Sequence, residues 1–403
     1  MNILFLTSAF PSSEYPKSNA HNLRSVINLA KEAEIEIQVV HLRSWKPWRK
    51  VYKTSEFDRI NVISYSFPYY PVLPKLLLGI LLSIYKKVLF QFFLKKHIHN
   101  VDVIHTAGVS MESVVGAYIA KKTGLKHVAQ CMGSDVNISL PRLIGNYGWK
   151  NFEKNVTLFC CNSISLQNEL KKILPLAKSN VIYRGVNINE FEYKPLDQFD
   201  TCNNSLTFLY LGGLKTTSTY GKYNYKGGVT LLKAWIKLYG EIDKNKVRVK
   251  LLYGGPNVNN TIISEILECD PANLNIEVIG QLSINDVKNY IEKSSVVVIP
   301  SFAEGLPNVA MEAASIGRPV IGSDVDGIPE IIIPGETGFL FKPGNENELS
   351  NLIQNYIMNP EQVLIHGENA RNHVVNYFDS KLFVKKYVNI YKKFASKTYN
   401  SRN

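Results

Sequence analysis

The chain has 403 residues, of which 45% are hydrophobic and 20% charged, and a formal net charge of +12. One core rarely grows that large, so two domains are expected. The ordinary balance of apolar and charged residues excludes an intrinsically disordered chain. Five cysteines (Cys131, Cys160, Cys161, Cys202 and Cys269) form no C-x-x-C pair and accompany no histidine array. That argues against a disulfide framework and for a reducing compartment, the cytoplasm. Cys131, Cys160 and Cys161 fall in apolar runs and read as buried hydrophobes. The charge is lopsided: residues 1–190 hold 24 Lys+Arg against 12 Asp+Glu, whereas residues 191–403 hold 22 of each. A one-sided positive field suits nucleic acid, anionic lipid or an anionic acceptor. Without zinc-finger spacing or an RNP-like aromatic strand, a nucleic-acid partner is not expected.

In chain order, MNILFLTSAF lacks a basic leader and a cleavage site and reads as a first strand, Ile3–Leu6, not a signal peptide. Further strands are predicted at 35–40, 62–65, 103–105, 127–131, 158–161 and 181–183. In the second half they are predicted at 206–211, 247–253, 276–279, 296–299, 320–321 and 338–341. Amphipathic helices are predicted between them, at 22–31, 111–122, 227–239, 285–293 and 306–315. The alternation predicts two parallel sheets covered by helices on both faces. Residues 187–205 are polar and break the pattern, so they read as a linker between domains at 1–186 and 206–377. An amphipathic helix is predicted at about 378–397. The segment PKLLLGILLSIYKKVLFQFFLKKH, residues 74–97, has an uninterrupted apolar run of only ten residues, 76–85. A span needs about 20. The segment reads either as a core helix or as one lying on an anionic bilayer, with lysines at the headgroups. A helix with one face packed and its tip and lysines on the membrane combines both.

Residues 301–330, SFAEGLPNVAMEAASIGRPVIGSDVDGIPE, are the most informative stretch. They follow a buried-strand pattern and place Pro307 where a helix should begin. The free N–H groups and dipole of a helix N-terminus attract anions. Glu304 precedes that point and Glu312 lies five residues beyond Pro307, roughly 7–8 Å along the helix axis. Carboxylates are poor phosphate ligands but good acceptors for sugar hydroxyls. The layout therefore fits phosphates flanked by two hydroxylated rings, a nucleotide-sugar. The plainer reading is two solvated surface glutamates. Gly212–Gly213 after the strand at 206–211 lets backbone approach phosphate closely. Lys226 opens the next helix, where a cation opposes the dipole and so points to a bound anion. Gly254–Gly255 end another strand and are expected to line the base pocket.

The motifs EGLPNVxxE, GxPV, GIPE (327–330) and TGFLF (337–341) resemble the donor-binding half of the family 4 retaining glycosyltransferases. The resemblance is specific over about residues 205–345 and looser over the first 190. It implies an α/β GT-B fold: two doubly wound Rossmann-like domains facing across a cleft, with the last helix packing back on the first domain. It assigns Glu304 to the donor sugar and Glu312 to the ribose, with Gly305, Leu306, Pro307 and Asn308 at the helix start around the diphosphate. An Arg is usual just after the first glycine; Gly213 stands there, and Lys215 is the nearest substitute. In the first half, Gly133-Ser134-Asp135 resembles the family's H-G-S-D turn with Met132 in place of His. Asp135 is the first candidate to orient or deprotonate the acceptor hydroxyl, and His105 the second, although a lone strand-end His is commonly structural. The Gly-Gly loop that cradles the diphosphate is replaced by Lys17-Ser18-Asn19-Ala20.

The resemblance implies a metal-independent hexosyltransferase with no cofactor besides its donor substrate, acting with retention. The leaving diphosphate would help take the acceptor proton, with its charge stabilised by Lys226, Lys215 and the helix near Leu306. Asp324-Val-Asp326 matches a D-x-D spacing but falls in the family's glycine turn. By association, the acceptor is a cell-surface glycan or a lipid-linked precursor, as in capsule, O-antigen or lipopolysaccharide synthesis, at the inner face of a bacterial inner membrane. Two other classes remain. A nicotinamide oxidoreductase needs G-x-G-x-x-G after a strand, and Thr7–Ser13 has no glycine. A non-catalytic binding or assembly protein on the same fold would account for the missing Arg and glycines.

Overall fold

The computed structural model describes residues 1–11, 20–32, 34–44, 50, 52–57, 60–67, 75–143, 152–196, 205–215, 224–243 and 245–399. Lys17–Asn19, Cys202, and most of the loop between Lys215 and Tyr225 lie outside them. The chain forms two compact units, residues 1–184 with 383–403, and residues 185–382.

The first unit runs β1 (Asn2–Thr7), α1 (Ala20–Ala30), β2 (Glu36–Ser44), β3 (Tyr52–Phe57), β4 (Ile60–Phe67), α2 (Lys75–Leu89), β5 (Val103–Ala107), α3 (Met111–Thr123), β6 (Lys126–Cys131), β7 (Leu158–Cys161), α4 (Ile164–Ile173) and β8 (Ser179–Val181). Its sheet has the order β3-β4-β2-β1-β5-β6-β7-β8. Every pair is parallel except β3 with β4, which runs antiparallel with Tyr52 opposite Tyr65. The sequence reading omits β3. YKTSEF has the polar alternation of an edge strand and no apolar run to signal it. The last strand lies at 179–181 instead of 181–183. It too is an edge strand, held by backbone pairing with β7 and not by an apolar face.

The second unit runs β9 (Ser205–Tyr210), α5 (Gly228–Glu241), β10 (Arg248–Gly254), α6 (Asn260–Leu267), β11 (Ile276–Gly280), α7 (Ile284–Glu292), β12 (Val296–Ile299), α8 (Asn308–Ile316), β13 (Val320–Ser323), β14 (Gly338–Phe341), α9 (Glu346–Met358) and α10 (Glu361–Tyr377). Its all-parallel sheet has the order β11-β10-β9-β12-β13-β14. Counted within the unit this is 3-2-1-4-5-6, the doubly wound order, in which ligands bind beyond the carboxyl ends of the two central strands. Trp235 on α5 is fully buried and donates its indole N–H to the Leu274 carbonyl at 2.8 Å.

Residues 185–196 belong to the second unit instead of hanging between units. Ser315 Oγ donates to the Phe191 carbonyl at 2.6 Å, and Arg318 Nη1 to the Lys194 carbonyl at 2.6 Å. Arg318 is buried and also donates to the carbonyls of Ser294 (2.7 Å) and Glu292 (2.8 Å). One guanidinium thus satisfies three carbonyls on two segments that would otherwise be orphaned. Burial lowers its pKa to about 10, with Glu292 acting the other way.

The last helix, α11 (Ser380–Tyr399), carries Phe383, Val384, Tyr387 and Tyr391 into one core with Ile3, Val103, Val128, Cys160 and Ile182 of the first unit. That sheet face is therefore closed by the far end of the chain.

Candidate functional site

In the second unit, β9 and β12 are sheet neighbours whose following connections diverge, so the loops after them frame the expected binding crevice. After β9, the loop is stitched to its neighbour after β10. Gly213 N donates to the Gly254 carbonyl at 3.2 Å, Leu214 N to the Pro256 carbonyl at 2.8 Å, and Gly255 N to the Gly280 carbonyl at 2.7 Å. A Cβ on Gly255 would stand 2.4 Å from Gly213 N. The Gly213 and Gly255 N–H groups are thus spent within the protein. Both glycines let two loops touch. Gly212 is half-buried beside the Tyr210 ring, and Gly254 is the buried end of β10.

Lys226-Gly227-Gly228 has an equally specific cause. Gly227 caps α5 at φ +69°, and a Cβ there would lie 1.7 Å from the Pro300 carbonyl oxygen at the end of β12. Only glycine permits this approach, and it sets Lys226 beside the loop after β12. There Lys226 Nζ forms an ion pair with Glu304 Oε1, both side chains being largely buried. Ser301 Oγ donates to the same carboxylate oxygen at 3.3 Å. Lys226 and Lys215 also approach one aromatic ring, that of Tyr225, at 5.4 and 4.6 Å from its centroid. The two candidate phosphate cations are therefore neighbours, although most of the loop joining them is outside the described residues.

Glu304 is fixed through its backbone as well. Its N–H donates to Asp326 Oδ2 at 2.8 Å, and its carbonyl accepts from Gly327 N at 3.4 Å. Asp326 takes φ +48°, a conformation usual for glycine. Asp324-Val-Asp326 is thus a buttress for the Glu304 loop. Gly305 and Leu306 press against Gly327, where a Cβ would meet the Gly305 carbonyl at 1.9 Å. Pro307 is buried and sits one position earlier than expected, as the residue preceding α8 with φ −71° and ψ 120°. Its ring presets the turn into the helix without occupying the first turn. Asn308 is exposed at the helix start, and Glu312 is half-buried one turn further on.

The first unit's corresponding crevice lies between β1 and β5. Asp135 is there, but its oxygens accept backbone N–H groups from Val109 (2.8 Å), Gly133 (2.7 Å) and Met132 (3.0 Å). Burial pushes its carboxyl above the ordinary range, against the pull of these donors. It ties the loop after β5 to the loop after β6. His105 is not at the crevice. It is fully buried under α11, hydrogen-bonded through Nδ1 to the Tyr391 hydroxyl and stacked on Tyr387 at 5.0 Å. Desolvation lowers its pKa to about 3, so it is a neutral core histidine. Its strand-end position suggested access; the helix that covers it comes from 286 residues away in sequence.

Two residues absent from the sequence reading stand out here. Glu112, buried at the start of α3, accepts from Ser110 N (3.2 Å) and Ser110 Oγ (2.9 Å). Burial raises its pKa to about 6, with Asp135 adding to the rise and Ser8 and Ser110 opposing it. Arg184 closes the unit, and its buried Nε has no partner among the described residues. Burial lowers its pKa while Tyr387 and Asp135 raise it. The signal for both was a charged residue in an otherwise apolar or small-residue setting.

Two family models match the chain: Glycosyltransferase Family 4 over residues 53–190 and Glycosyl transferases group 1 over residues 215–373. The uncharacterized glycosyltransferase MJ1178 of Methanocaldococcus jannaschii is 30% identical over 275 residues, covering 68% of this chain and 70% of that protein. The capsular polysaccharide biosynthesis glycosyltransferase CapM of Staphylococcus aureus is 28% identical over 257 residues, covering 61% and 65%. Among solved structures, sucrose-phosphate synthase of Thermosynechococcus elongatus aligns with a TM-score of 0.72 at 18% identity, covering 98% of this chain and 100% of that one. Anabaena HepE in complex with UDP-glucose aligns with a TM-score of 0.60 at 19% identity, covering 100% of both. These structures share the GT-B architecture of two Rossmann-like domains. The oxidoreductase reading falls with these matches, and the chain belongs to the group 1, family 4 glycosyltransferases.

Proposed function

We propose that this glycosyltransferase moves a hexose from a nucleotide-sugar to a hydroxyl of a cell-surface glycan or lipid-linked acceptor, with retention and without a metal. The observation that carries this reading is the meeting of Lys226, Lys215 and Glu304 beside the loop that leads into α8. On donor binding, Lys226 exchanges Glu304 for a diphosphate oxygen, and Glu304 turns to a sugar hydroxyl. Glu312 takes the ribose. The acceptor oxygen bonds to the anomeric carbon as the bond from that carbon to the diphosphate breaks. The acceptor proton passes to a diphosphate oxygen on the same face. Two lysines and the helix N-terminus stabilise the developing charge.

HepE structures hold UDP, UDP with glucose, and UDP-glucose, which supports a nucleotide-sugar donor. CapM and the lipopolysaccharide core biosynthesis mannosyltransferase LpcC of Rhizobium leguminosarum favour a surface glycan. Membrane association at the inner face rests on α2. Leu77, Ile80, Leu81, Ile84 and Val88 form an exposed apolar row, while Leu89 is buried in the core. Among the described residues no helix is long and apolar enough to cross a membrane.

Calorimetry with UDP-, GDP- and ADP-sugars tests the donor, and the anomeric configuration of the product tests retention. Glu312→Ala should weaken donor affinity about tenfold or more, the value of a charged hydrogen bond, without changing the acceptor KM. Wild-type donor affinity in that variant would remove Glu312 from the site. Loss of turnover in EDTA, restored by a divalent cation, would overturn the metal-free reading.

A further inference from the structure

Lys215 and Lys226 stand at the two ends of one loop, whose middle, residues 216–223, lies outside the described residues. Holding the ends of a flexible loop together costs chain entropy, so the bonds at its base matter. Tyr225 N donates to the Lys215 carbonyl at 3.1 Å, and Phe302 N, from the loop after β12, to the Tyr225 carbonyl at 3.2 Å. One side chain also reaches both ends. Tyr210, the last residue of β9, is 1% exposed. Its hydroxyl donates to the Gly213 carbonyl at 2.7 Å and approaches the Lys226 carbonyl at 3.3 Å. A phenol has a single proton to donate, so the two contacts share it, as a three-centre bond does. Gly228 leaves room for this, since a Cβ there would stand 3.0 Å from the Tyr210 hydroxyl. Burial raises the Tyr210 pKa, and Tyr253 and Glu304 add to the rise, so the proton is in place at neutral pH.

We propose that Tyr210 is a positioning residue for the diphosphate of the sugar donor. Acting through the Gly213 and Lys226 carbonyls, its hydroxyl keeps the two ends of the loop together, so that Lys215 and Lys226 serve one diphosphate. Electrostatic stabilisation depends on groups already in place when charge develops, and a lysine on a loose loop end gives up that advantage. Without the hydroxyl the loop ends separate more often, and the loss falls on contacts to the diphosphate, not on those to base or ribose. The proposal rests on the nucleotide-sugar reading given above and adds the residue that holds its two cations in register.

The test is calorimetry on the full-length protein with UDP, GDP and ADP, and with the monophosphate of whichever diphosphate binds most tightly. Wild type should prefer the diphosphate. Tyr210→Phe keeps the ring and removes the hydroxyl. It should cut diphosphate affinity about fivefold, the scale of one neutral hydrogen bond, and leave monophosphate affinity unchanged. In a Lys226→Ala background the same substitution should change diphosphate affinity far less, since the two act through one contact. The control is Tyr253→Phe, whose ring lies 4.6 Å from that of Tyr210 and whose hydroxyl bonds to neither loop end. It should keep both affinities. Equal losses of diphosphate and monophosphate in Tyr210→Phe, or an undiminished loss in the Lys226→Ala background, would reduce Tyr210 to general support of the fold and overturn the proposal. A matching loss in Tyr253→Phe would do the same. Wild type that prefers the diphosphate while Tyr210→Phe behaves identically would sink the role of Tyr210 alone. Wild type that binds none of the nucleotides would overturn the nucleotide-sugar reading and this proposal with it.

Discussion

The two units are built on the same doubly wound plan but handle charge in opposite ways. In the second, charged groups are paired or put to use: Lys226 with Glu304, Asp326 with the Glu304 amide, Arg318 with carbonyls. In the first, ionisable groups are buried with their proton affinities displaced, namely His105, His127, Glu112 and Asp135. Its surface carries an excess of lysine. The second unit therefore holds its charged groups in internal pairs. The first couples its folding to pH and its exterior to anionic surroundings.

The largest expected effect lies in the second unit. Lys226→Ala should lower kcat/KM about a thousandfold, the scale of removing one electrostatic contact to a developing charge. Glu304→Gln should act through the same step, so the double variant should fall far short of the product of the two single losses. Independent effects would separate Lys226 from Glu304 and break the paired picture.

The next effect belongs to the first unit. His105 and His127 have folded pKa values lowered to about 3 from 6.5, so the unfolded chain binds protons that the folded chain does not. Stability is complete above pH 6.5 and is lost as pH falls toward 3, on the order of 4 kcal/mol for one such histidine. Hydrogen exchange at pH 7.5 and pH 4.5 should show the first unit loosening while the second holds. Equal loosening of both would remove the contrast.

Arg318→Met should destabilise the second unit by about 3 kcal/mol, since it leaves buried carbonyls on separate segments unsatisfied. Urea unfolding followed by Trp235 fluorescence reads this. The smallest effect is at Glu112, whose folded pKa is raised from 4.5 to about 6. Here the folded state binds the extra proton, so stability falls as pH rises from 4.5 to 6. Glu112→Gln should flatten that slope and gain up to about 2 kcal/mol above pH 6.

Much of the second unit could be read from its residues because its motifs are local. Gly227, Lys226, Glu304 and Pro307 each mark a turn or helix start within a few positions of the feature they serve. The Lys226–Glu304 ion pair was not legible: it joins residues 78 positions apart, and each had been given its own ligand. In the first unit the misreadings share one cause. His105 looked accessible because α11, which buries it, is encoded at the opposite end of the chain. The backbone donors of Asp135 could not be foreseen, because they come from two loops that only the sheet order β5-β6 brings together. Glu112 carries no motif, and its raised pKa arises mainly from burial, with Asp135 adding to it. β3 was missed because an edge strand with alternating polar residues has too little apolar signal to separate it from a loop.

The first unit draws its core from both ends of the polypeptide, since Phe383, Tyr387 and Tyr391 pack on strands made from residues 3 to 182. During synthesis, those strands wait with one apolar face uncovered while everything up to Leu382, a contiguous and self-sufficient unit, emerges and folds. The usual order of N-terminal domain first is thereby inverted. A stop codon at Ser380 would spare the crevice of the second unit and undo the beginning of the chain.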